Sequence, residues 1–434
     1  MVPQAAFHAK VPWICYFPGM RSALVRYHEI ALKRGNRAYF VEHLKKNLST
    51  ALRGMGLREI RNASSRLLLN FNRDVPPDEL TDRLRRVFGI ANFSLVEHTD
   101  ADMAALAAHV VEALQDQSFD SFRIETRRVD KRFPLTSNDI NRELGALVQA
   151  RSGARVDLDR PELTVSVEIL PSSAFVSLRK APGPGGLPVG ASGRLVSLIS
   201  GGIDSPVASY RMMQRGCRLI FVHFHSSPFL DRSSQDKSKA LVEMLTRYQF
   251  VSRLYLVPFG EIQRRIVAAV LRPLRVVIYR RMMLRIASII AAKERARALV
   301  TGESLAQVAS QTLPNIAVIE EAARYPVLRP LIGMDKQEII DQAMDIGTFE
   351  TSVQPDQDCC QLFVPRHPAV NATLRRVREA EAALDVEELT ALGADHAEVE
   401  RFHYPEPREV GHTDSTGDEG DGETGERTPE AGRA

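Results

Sequence analysis

The apolar run Leu195-Val-Ser-Leu-Ile199 passes without a break into Ser200-Gly201-Gly202-Ile203-Asp204-Ser205, and Pro206 follows. A strand that ends in a glycine loop and restarts as a helix turns several backbone N–H groups toward one point, which makes an anion seat. Gly201 and Gly202 let the chain turn tightly and approach a ligand closely. Pro206 suits a first helical turn, with Ser205 as the expected N-cap. The loop lacks the Gly-Lys-Ser/Thr ending of a Walker A site, so γ-phosphate transfer is not implied.

The flanking text agrees with such a loop. Apolar strands at Leu195–Ile199, Leu219–Phe224, Leu254–Val257 and Leu299–Thr301 alternate with helices near 206–215, 235–248 and 262–296, the last interrupted at Pro273. Strands apolar on both faces and joined by helical crossovers predict a doubly wound parallel α/β sheet over 183–395, its ligand at the strand C-terminal ends. Two smaller α+β units precede it. The first, 22–95, opens with the strand-like ALVRYHEIAL, continues as a helix through 36–52 and a strand near 66–71, and carries a second helix after Pro76-Pro77. The second, 96–182, has a helix over 101–115, a basic strand over 121–128, a helix from Ser137 and a strand pair at 163–170 and 174–178. The stretch 181–193, with five glycines and three prolines, is expected to be a linker or loop outside any helix or sheet. Residues 1–21 read as a ragged extension and 396–434 as a disordered acidic tail.

Charge and cysteine usage narrow the function. The net charge of +3 conceals a tail from Pro405 onward that carries −6, which leaves about +9 on the body. A basic body suits an anionic partner such as nucleic acid. Arg26, Lys33, Arg34 and Arg37 crowd the first unit; Arg123, Arg127, Arg128, Lys131 and Arg132 crowd the second. Few aromatics lie among them, which favours folded RNA gripped by its backbone over stacked single strands. Four cysteines (Cys15, Cys217, Cys359, Cys360) make no disulfide framework and fit a reducing, cytoplasmic setting. No apolar run is long enough to span a bilayer, so no membrane partner is expected. No CxxC pair occurs, so neither a zinc site nor a four-cysteine iron–sulfur cluster is expected on this chain alone. His223 and His225 alternate on one strand face, and the milder reading of the pair is two strand-end histidines near a ligand.

SGGIDS, in that strand–helix context, resembles the loop of the ATP pyrophosphatase (PP-loop) family, which grips the β,γ-pyrophosphate and splits ATP into AMP and pyrophosphate. The resemblance makes Asp204 the organiser of Mg²⁺ or pyrophosphate, with Ser200, Gly201, Gly202 and Ser205 around the phosphates. Further segments are similar to the tRNA 4-thiouridine synthase (tRNA sulfurtransferase) family, which also serves thiamine biosynthesis in many bacteria. They are RYHEIALKRGNR (26–37), QRGCR (214–218), RRMMLRIAS (280–288), LVTGESLAQVASQT (299–312), LRPLIGMDKQEII (328–340) and DCCQLFVPRHP (358–368). The likeness runs collinearly over about 23–395. It implies a ferredoxin-like unit and a THUMP domain ahead of the catalytic domain, both serving tRNA. It also assigns Leu198 and Ile199 to ATP through the strand edge, and His223 and Phe224 to the adenine side. Arg280, Gly302 and Gln311 would line the nucleotide site, and Lys336 would stabilise charge near the adenylated centre. Many relatives carry a C-terminal rhodanese domain whose cysteine delivers persulfide. The chain beyond 395 is short, acidic and free of cysteine, so sulfur is expected from another protein, a cysteine desulfurase or similar persulfide donor.

Exchanging oxygen for sulfur on a uridine needs a better leaving group than oxide, which adenylation supplies, and a sulfur nucleophile. Cys359 and Cys360, in the polar segment PDQDCCQ, are the candidates, and the residues do not say which of them carries a persulfide. A sulfur-carrier protein for thiazole synthesis and a homodimer stay open as partners. Two rival readings remain: a PP-loop synthetase acting on another substrate, and an RNA-binding adaptor with a vestigial ATP loop. The first gives no reason for the cysteine pair or the basic front half, and the second none for intact SGGIDS, TGES and Lys336.

Overall fold

The computed structural model of the protein describes residues 21–63, 65–115, 117–171, 173–356 and 368–405. Cys15, Cys359, Cys360 and the chain beyond 405 lie outside them.

The first unit holds β1 (Ser22–Arg26), α1 (Arg37–Ala51), β2 (Leu57–Ala63), β3 (Arg66–Phe71), α2 (Pro77–Leu84) and β4 (Asn92–Leu95). Ala23, Leu24 and Val25 are fully buried in β1, while Val41, Leu44, Leu48 and Ala51 make the inward stripe of α1. The strand expected to run on from Ala23 stops at Arg26, and Glu29–Leu32 is a 3-10 turn. The second unit holds β5 (Glu97–Thr99), α3 (Met103–Ala113), β6 (Ser121–Arg128), α4 (Ser137–Ser152), β7 (Arg155–Val156), β8 (Leu163–Ile169) and β9 (Ala174–Ser177). Its sheet order is β5-β9-β8-β6-β7, and a Thr136–Asp139 capping box starts α4.

The glycine-rich stretch departs from the expectation of a free linker. Ala181–Pro182 form β10, which pairs with Phe93 and Asn92 of β4 and completes the first unit's sheet in the order β10-β4-β1-β3-β2. An edge strand tolerates a proline, because one side of it needs no N–H donors. Beyond it the chain squeezes between two bodies: a Cβ at Gly183 would lie 2.3 Å from the Ile90 carbonyl oxygen, and one at Gly186 2.1 Å from that of Gln214.

The third domain continues with β11 (Arg194–Leu198), α5 (Asp204–Gln214), β12 (Arg218–His225), α6 (Ser233–Gln249), β13 (Val251–Pro258), α7 (Gly260–Ala269), α8 (Arg275–Lys293), β14 (Leu299–Val300), α9 (Leu313–Glu320), β15 (Val327–Leu328), α10 (Lys336–Asp345), α11 (Phe349–Ser352), α12 (Leu374–Glu381), α13 (Val386–Asp395) and β16 (Glu398–His403). The sheet order is β15-β14-β11-β12-β13-β16, parallel except at β16. Alternate residues enter two cores. Val196, Ile220, Val222 and Val257 pack with α7 and α8, while Leu195, Leu219, Phe221 and Leu256 pack with α5 and α6. That two-sided burial is the doubly wound arrangement the apolar strands predicted. From β11 the chain winds one way to β12 and β13, whereas β14 and β15 lie on the other side. The switch point falls between β11 and β14, directly beneath the glycine loop.

The C-terminal boundary is the second correction. The acidic tail was expected from 396, yet β16 pairs antiparallel with β13, from Val251↔His403 to Leu256↔Glu398. Its residues EVERFH are rich in charge, as suits an edge strand that must resist stray pairing; Phe402 reaches the core, while Val399 and the charged residues stay largely at the surface. Ending the chain after Asp395 should therefore destabilise the fold by more than about 2 kcal/mol, through the lost ladder and the Phe402 contacts. Ending it after Pro405 should leave thermal unfolding unchanged. Paired melting curves of the two truncations decide between tail and strand.

Candidate active site

The glycine loop is built from its own serines. The Ser200 N–H donates to Ser205 Oγ at 2.9 Å, the Ser209 hydroxyl donates to the Ser205 carbonyl at 2.8 Å, and the Ser197 and Ser209 hydroxyls meet at 2.9 Å. Helix α5 begins two residues earlier than expected, at Asp204 with Ile203 at the N-cap. Ser205 accordingly does not cap the helix, and its hydroxyl braces the turn from inside.

At the ends of β11 and β14 lies a cleft of ≈ 230 Å³. Ten of the eleven residues assigned to ATP line it: Leu198, Ile199, Ser200, Gly202, Ser205, His223, Phe224, Arg280, Gly302 and Gln311. Gly201 stands behind the lining. Gly302 is confined by sterics: a Cβ there would fall 2.7 Å from the Ser205 nitrogen and 2.9 Å from the Asp204 carbonyl carbon. His223 is buried, with Nδ1 3.1 Å from the Ile199 carbonyl oxygen and Nε2 3.4 Å from Ser234 Oγ, so its ring orients strand ends. Burial, reinforced by nearby His223, brings His225 down to about 4, so it is neutral near pH 7. Among the described residues no group of three His, Cys, Asp or Glu side chains could hold a metal.

Charge gathers on both sides of the cleft. Lys336, the first residue of α10, places Nζ 2.5 Å from Asp204 Oδ1, and Gln307 Nε2 donates to Asp204 Oδ2 at 3.0 Å. Opposite, the buried Glu303 binds Arg280 at 2.9 Å, Arg329 at 2.7 Å and the Thr301 hydroxyl at 3.0 Å. Residue-type reasoning passed over Glu303, Gln307, Arg329, Lys237 and Asp356. The signal for Glu303 was available, since TGES follows a buried strand at the switch point. The signal for Lys237 was its place four residues before Leu241 on the inward stripe of α6.

Helix α8 aims Arg280 and Met283 into the cleft and turns Arg281 the other way. Arg281 is 1% exposed; it donates to Glu381 at 2.8 and 2.9 Å and to Glu321 at 2.8 Å. Arg285 adds two bonds to Glu381, at 2.6 and 2.9 Å. This buried cluster fixes α8 against α12, and with it the register of Arg280.

The basic residues divide into two sets. Arg26 does not face solvent: it pairs with Glu168 of β8 at 2.5 Å and donates to Ser94 at 3.1 Å, tying the first unit to the second. This corrects its placement among free RNA-facing cations, because an uncompensated Glu168 would be costly at that buried junction. Arg123 is bound to the Leu158 carbonyl, Arg128 to those of Phe133 and Leu135, and Arg37 to the Tyr27 hydroxyl. Lys33 is half-buried over the Phe40 ring. Arg34, Arg127, Lys131 and Arg132 are exposed, the last in an ion pair with Asp130. Cys217 is buried and its thiol is pushed up by that burial, which suits a packed bystander.

Three family models match in succession: the ThiI ferredoxin-like domain over 22–94, the THUMP domain over 97–179 and the thiamine biosynthesis protein (ThiI) over 190–386. A probable tRNA sulfurtransferase of Thermus thermophilus is 48% identical over 379 residues, 87% of this chain and 93% of its own length. Its counterpart in Moorella thermoacetica is 45% identical over 379 residues, 87% of this chain and 97% of its own. The crystal structure of a 4-thiouridine synthetase–RNA complex with bound ATP aligns at TM-score 0.82 and 33% identity, over 88% of this chain and 100% of that one. Among the described residues no helix is long and apolar enough to cross a membrane.

The Arg281 cluster yields a stability test. Burial alone would raise the Glu381 carboxyl, but the hydrogen bonds from Arg281 and Arg285 outweigh it and hold it at about 2 against an ordinary 4.5. A depressed carboxylate stabilises the fold above its unfolded value, so this contribution of about 3 kcal/mol should vanish as pH falls from about 4.5 to 2. Arg281→Met should cost about 3–5 kcal/mol at neutral pH, because Glu381 stays buried with part of its compensation gone. Denaturant unfolding at pH 7 and pH 3 reads both effects, and the variant's deficit should shrink at the lower pH.

Proposed function

The chain belongs to the tRNA sulfurtransferase family, and from that premise we propose how its residues divide the work of ATP-dependent tRNA thiolation. Leu198, Ile199, His223 and Phe224 hold the adenosine end of ATP at the strand edge, and the Ser200–Ser205 loop holds the β,γ-phosphates. A uracil carbonyl oxygen attacks the α-phosphorus; pyrophosphate leaves, and AMP stays on the base as an ester. Lys336 and Arg280 face the charge that grows on the phosphoryl oxygens from opposite walls, preorganised before reaction. The carrying observation is the Lys336–Asp204 pair at 2.5 Å, which closes a cation from α10 over the first residue of α5 at the loop's end.

Mg²⁺ is normally held by one or two carboxylates together with substrate phosphates, and Asp204 at the end of an anion loop fits that requirement. The bound ion would neutralise phosphate charge; Asp204 would hold it, with Lys336 turning to the nucleotide.

The sulfur step is assigned to Cys359 and Cys360. The outer sulfur of a persulfide on one of them attacks the activated carbon, and AMP departs. A second thiol then attacks the cysteine sulfur, which leaves 4-thiouridine on the RNA and a disulfide on the protein. A cysteine desulfurase or similar protein loads the persulfide. Arg34, Arg127, Lys131 and Arg132 are the solvent-facing cations through which the two front units grip the tRNA backbone.

Two experiments test this division. Asp204→Ala should abolish tRNA-dependent AMP release while tRNA affinity holds. Cys359→Ala and Cys360→Ala should still release AMP, and at least one of them should make no thiouridine with a persulfide donor protein. AMP assays paired with nucleoside mass analysis read both steps, and a double cysteine variant that thiolates at the wild-type rate would refute the sulfur assignment. Separately, Arg127→Glu with Lys131→Glu should weaken tRNA binding and lower its log–log salt slope by roughly 0.7–0.9 per lost phosphate contact. An unchanged slope would make these residues an ordinary solvated face.

A further inference from the structure

Against the central glycine of the phosphate loop lies a buried cation that the reaction scheme above does not use. Lys237 lies on the inward stripe of α6, with its side chain 6% exposed. An ammonium in that position needs a partner to offset lost hydration. It has two: Nζ donates to the Gln354 carbonyl at 2.5 Å and lies 3.5 Å from Asp356 Oδ2.

Both side chains press on the phosphate loop. A Cβ at Gly201 would lie 3.0 Å from Lys237 Cδ and 2.2 Å from Asp356 Oδ2, so only glycine admits the carboxylate there. That oxygen is buried and, among the described residues, accepts no hydrogen bond. An anionic oxygen thus rests against the central glycine of an anion-binding loop, beside an ammonium, without the hydrogen bonds a carboxylate would claim in a site shaped for it. A phosphate oxygen would meet the same surroundings. Ser200 and Gly202, on either side of Gly201, line the nucleotide cleft, so this seat lies one residue from it along the loop.

We propose that Lys237 is a further pyrophosphate-binding residue, and that Asp356 occupies the anion seat against Gly201 until nucleotide arrives. The inference rests on reading the glycine loop as the site of the β,γ-phosphates. Two anionic oxygens cannot share the contact with Gly201, both because space is lacking and because like charges repel. Binding therefore exchanges one anion for another on the same ammonium, and Lys237 stays neutralised in both states. Asp356 acts as a competitor built into the chain.

The prediction separates this role from a structural one, because the two members of one ion pair must act in opposite directions. Inorganic pyrophosphate with Mg²⁺, AMP, and a non-hydrolysable ATP analogue are titrated calorimetrically into the full chain and into Lys237→Met, Lys237→Arg and Asp356→Asn. Lys237→Met should weaken pyrophosphate binding roughly tenfold or more, and Lys237→Arg should recover part of the loss. Asp356→Asn should tighten it about five- to tenfold, by removing the competing charge. AMP affinity should move in neither. If both variants weaken pyrophosphate, or Asp356→Asn leaves it unchanged while the wild-type chain binds the ATP analogue, the pair is a structural clamp and the inference is overturned. If the wild-type chain binds neither pyrophosphate nor the analogue, the phosphate-loop reading itself fails. Should Lys237→Met not fold, the Asp356→Asn titration still decides.

Discussion

The end of β14 and the start of α5 share a space that only a glycine permits. With Gly302 2.7 Å by its missing Cβ from the Ser205 nitrogen, two segments a hundred residues apart are locked edge to edge. That contact sets the width of the cleft, since it fixes the first turn of α5 relative to the strand on the far side of the switch point. It also decides which way the glycine loop opens. Any side chain at 302 would push α5 outward, carrying Asp204 from Lys336 and Ser205 from the Ser200 N–H. The serine braces within the loop hold its shape locally, and the Gly302 contact, with the β11–β14 pairing and the Gln307–Asp204 bond, aligns that shape with Glu303 and Arg280 across the cleft.

The placement of Lys336 runs against local helix stability. A lysine at the first position of a helix opposes the helix dipole and forgoes the anion that the N-terminus favours. Helix α10 is nevertheless firmly started, because Asp335 accepts from the Gln337 N–H at 2.8 Å while Glu338 returns a bond to the Asp335 N–H at 2.9 Å. The capping box and the Asp204 carboxylate together offset the misplaced cation. A nucleotide that draws Lys336 away from Asp204 replaces one anion with another, so the helix start is never left uncompensated. The proposed exchange at Lys237 follows the same electrostatic rule.

What the sequence made legible was whatever leaves a periodic trace. Strands buried on both faces, the glycine loop and the helix after Ser137 fall where apolar spacing puts them. Of the junctions between units, only the passage into the third is marked by a composition change, the Gly/Pro-rich stretch 181–193. What escaped were elements whose stabilisation comes from a neighbour. β10 is two residues of a proline-rich stretch that become a strand only because β4 has an open edge, and β16 reads as charged tail because one face of an edge strand meets water. Arg26 looked like part of a basic patch; only the fold brings Glu168, 142 residues on, to within 2.5 Å of it. Lys237 carried a trace, its place on an apolar stripe, but a polar residue type masked it.

The coupling of the two front units to the catalytic domain follows from contacts of a different kind. Phe88 of the first unit packs against Tyr210 and Tyr248, with ring centroids 5.1 and 5.5 Å away. Arg215 at the end of α5 pairs with Glu29 at 2.7 Å, and Asn47 of α1 donates to the Val189 carbonyl at 3.1 Å. On the other side of the first unit, Arg26 and Arg66 converge on Glu168. The first unit is therefore a wedge with a polar, buried junction toward the second unit and an aromatic one toward the third. Aromatic packing resists shear through its area, while a buried charge cluster resists separation because parting it would strand Glu168. An RNA bound to the front units would in this way be held at a set distance from the cleft. Helix α5 carries the Tyr210 and Arg215 contacts at one end and the phosphate loop at the other, so the element that reads the position of the front units is also the element that begins at Asp204.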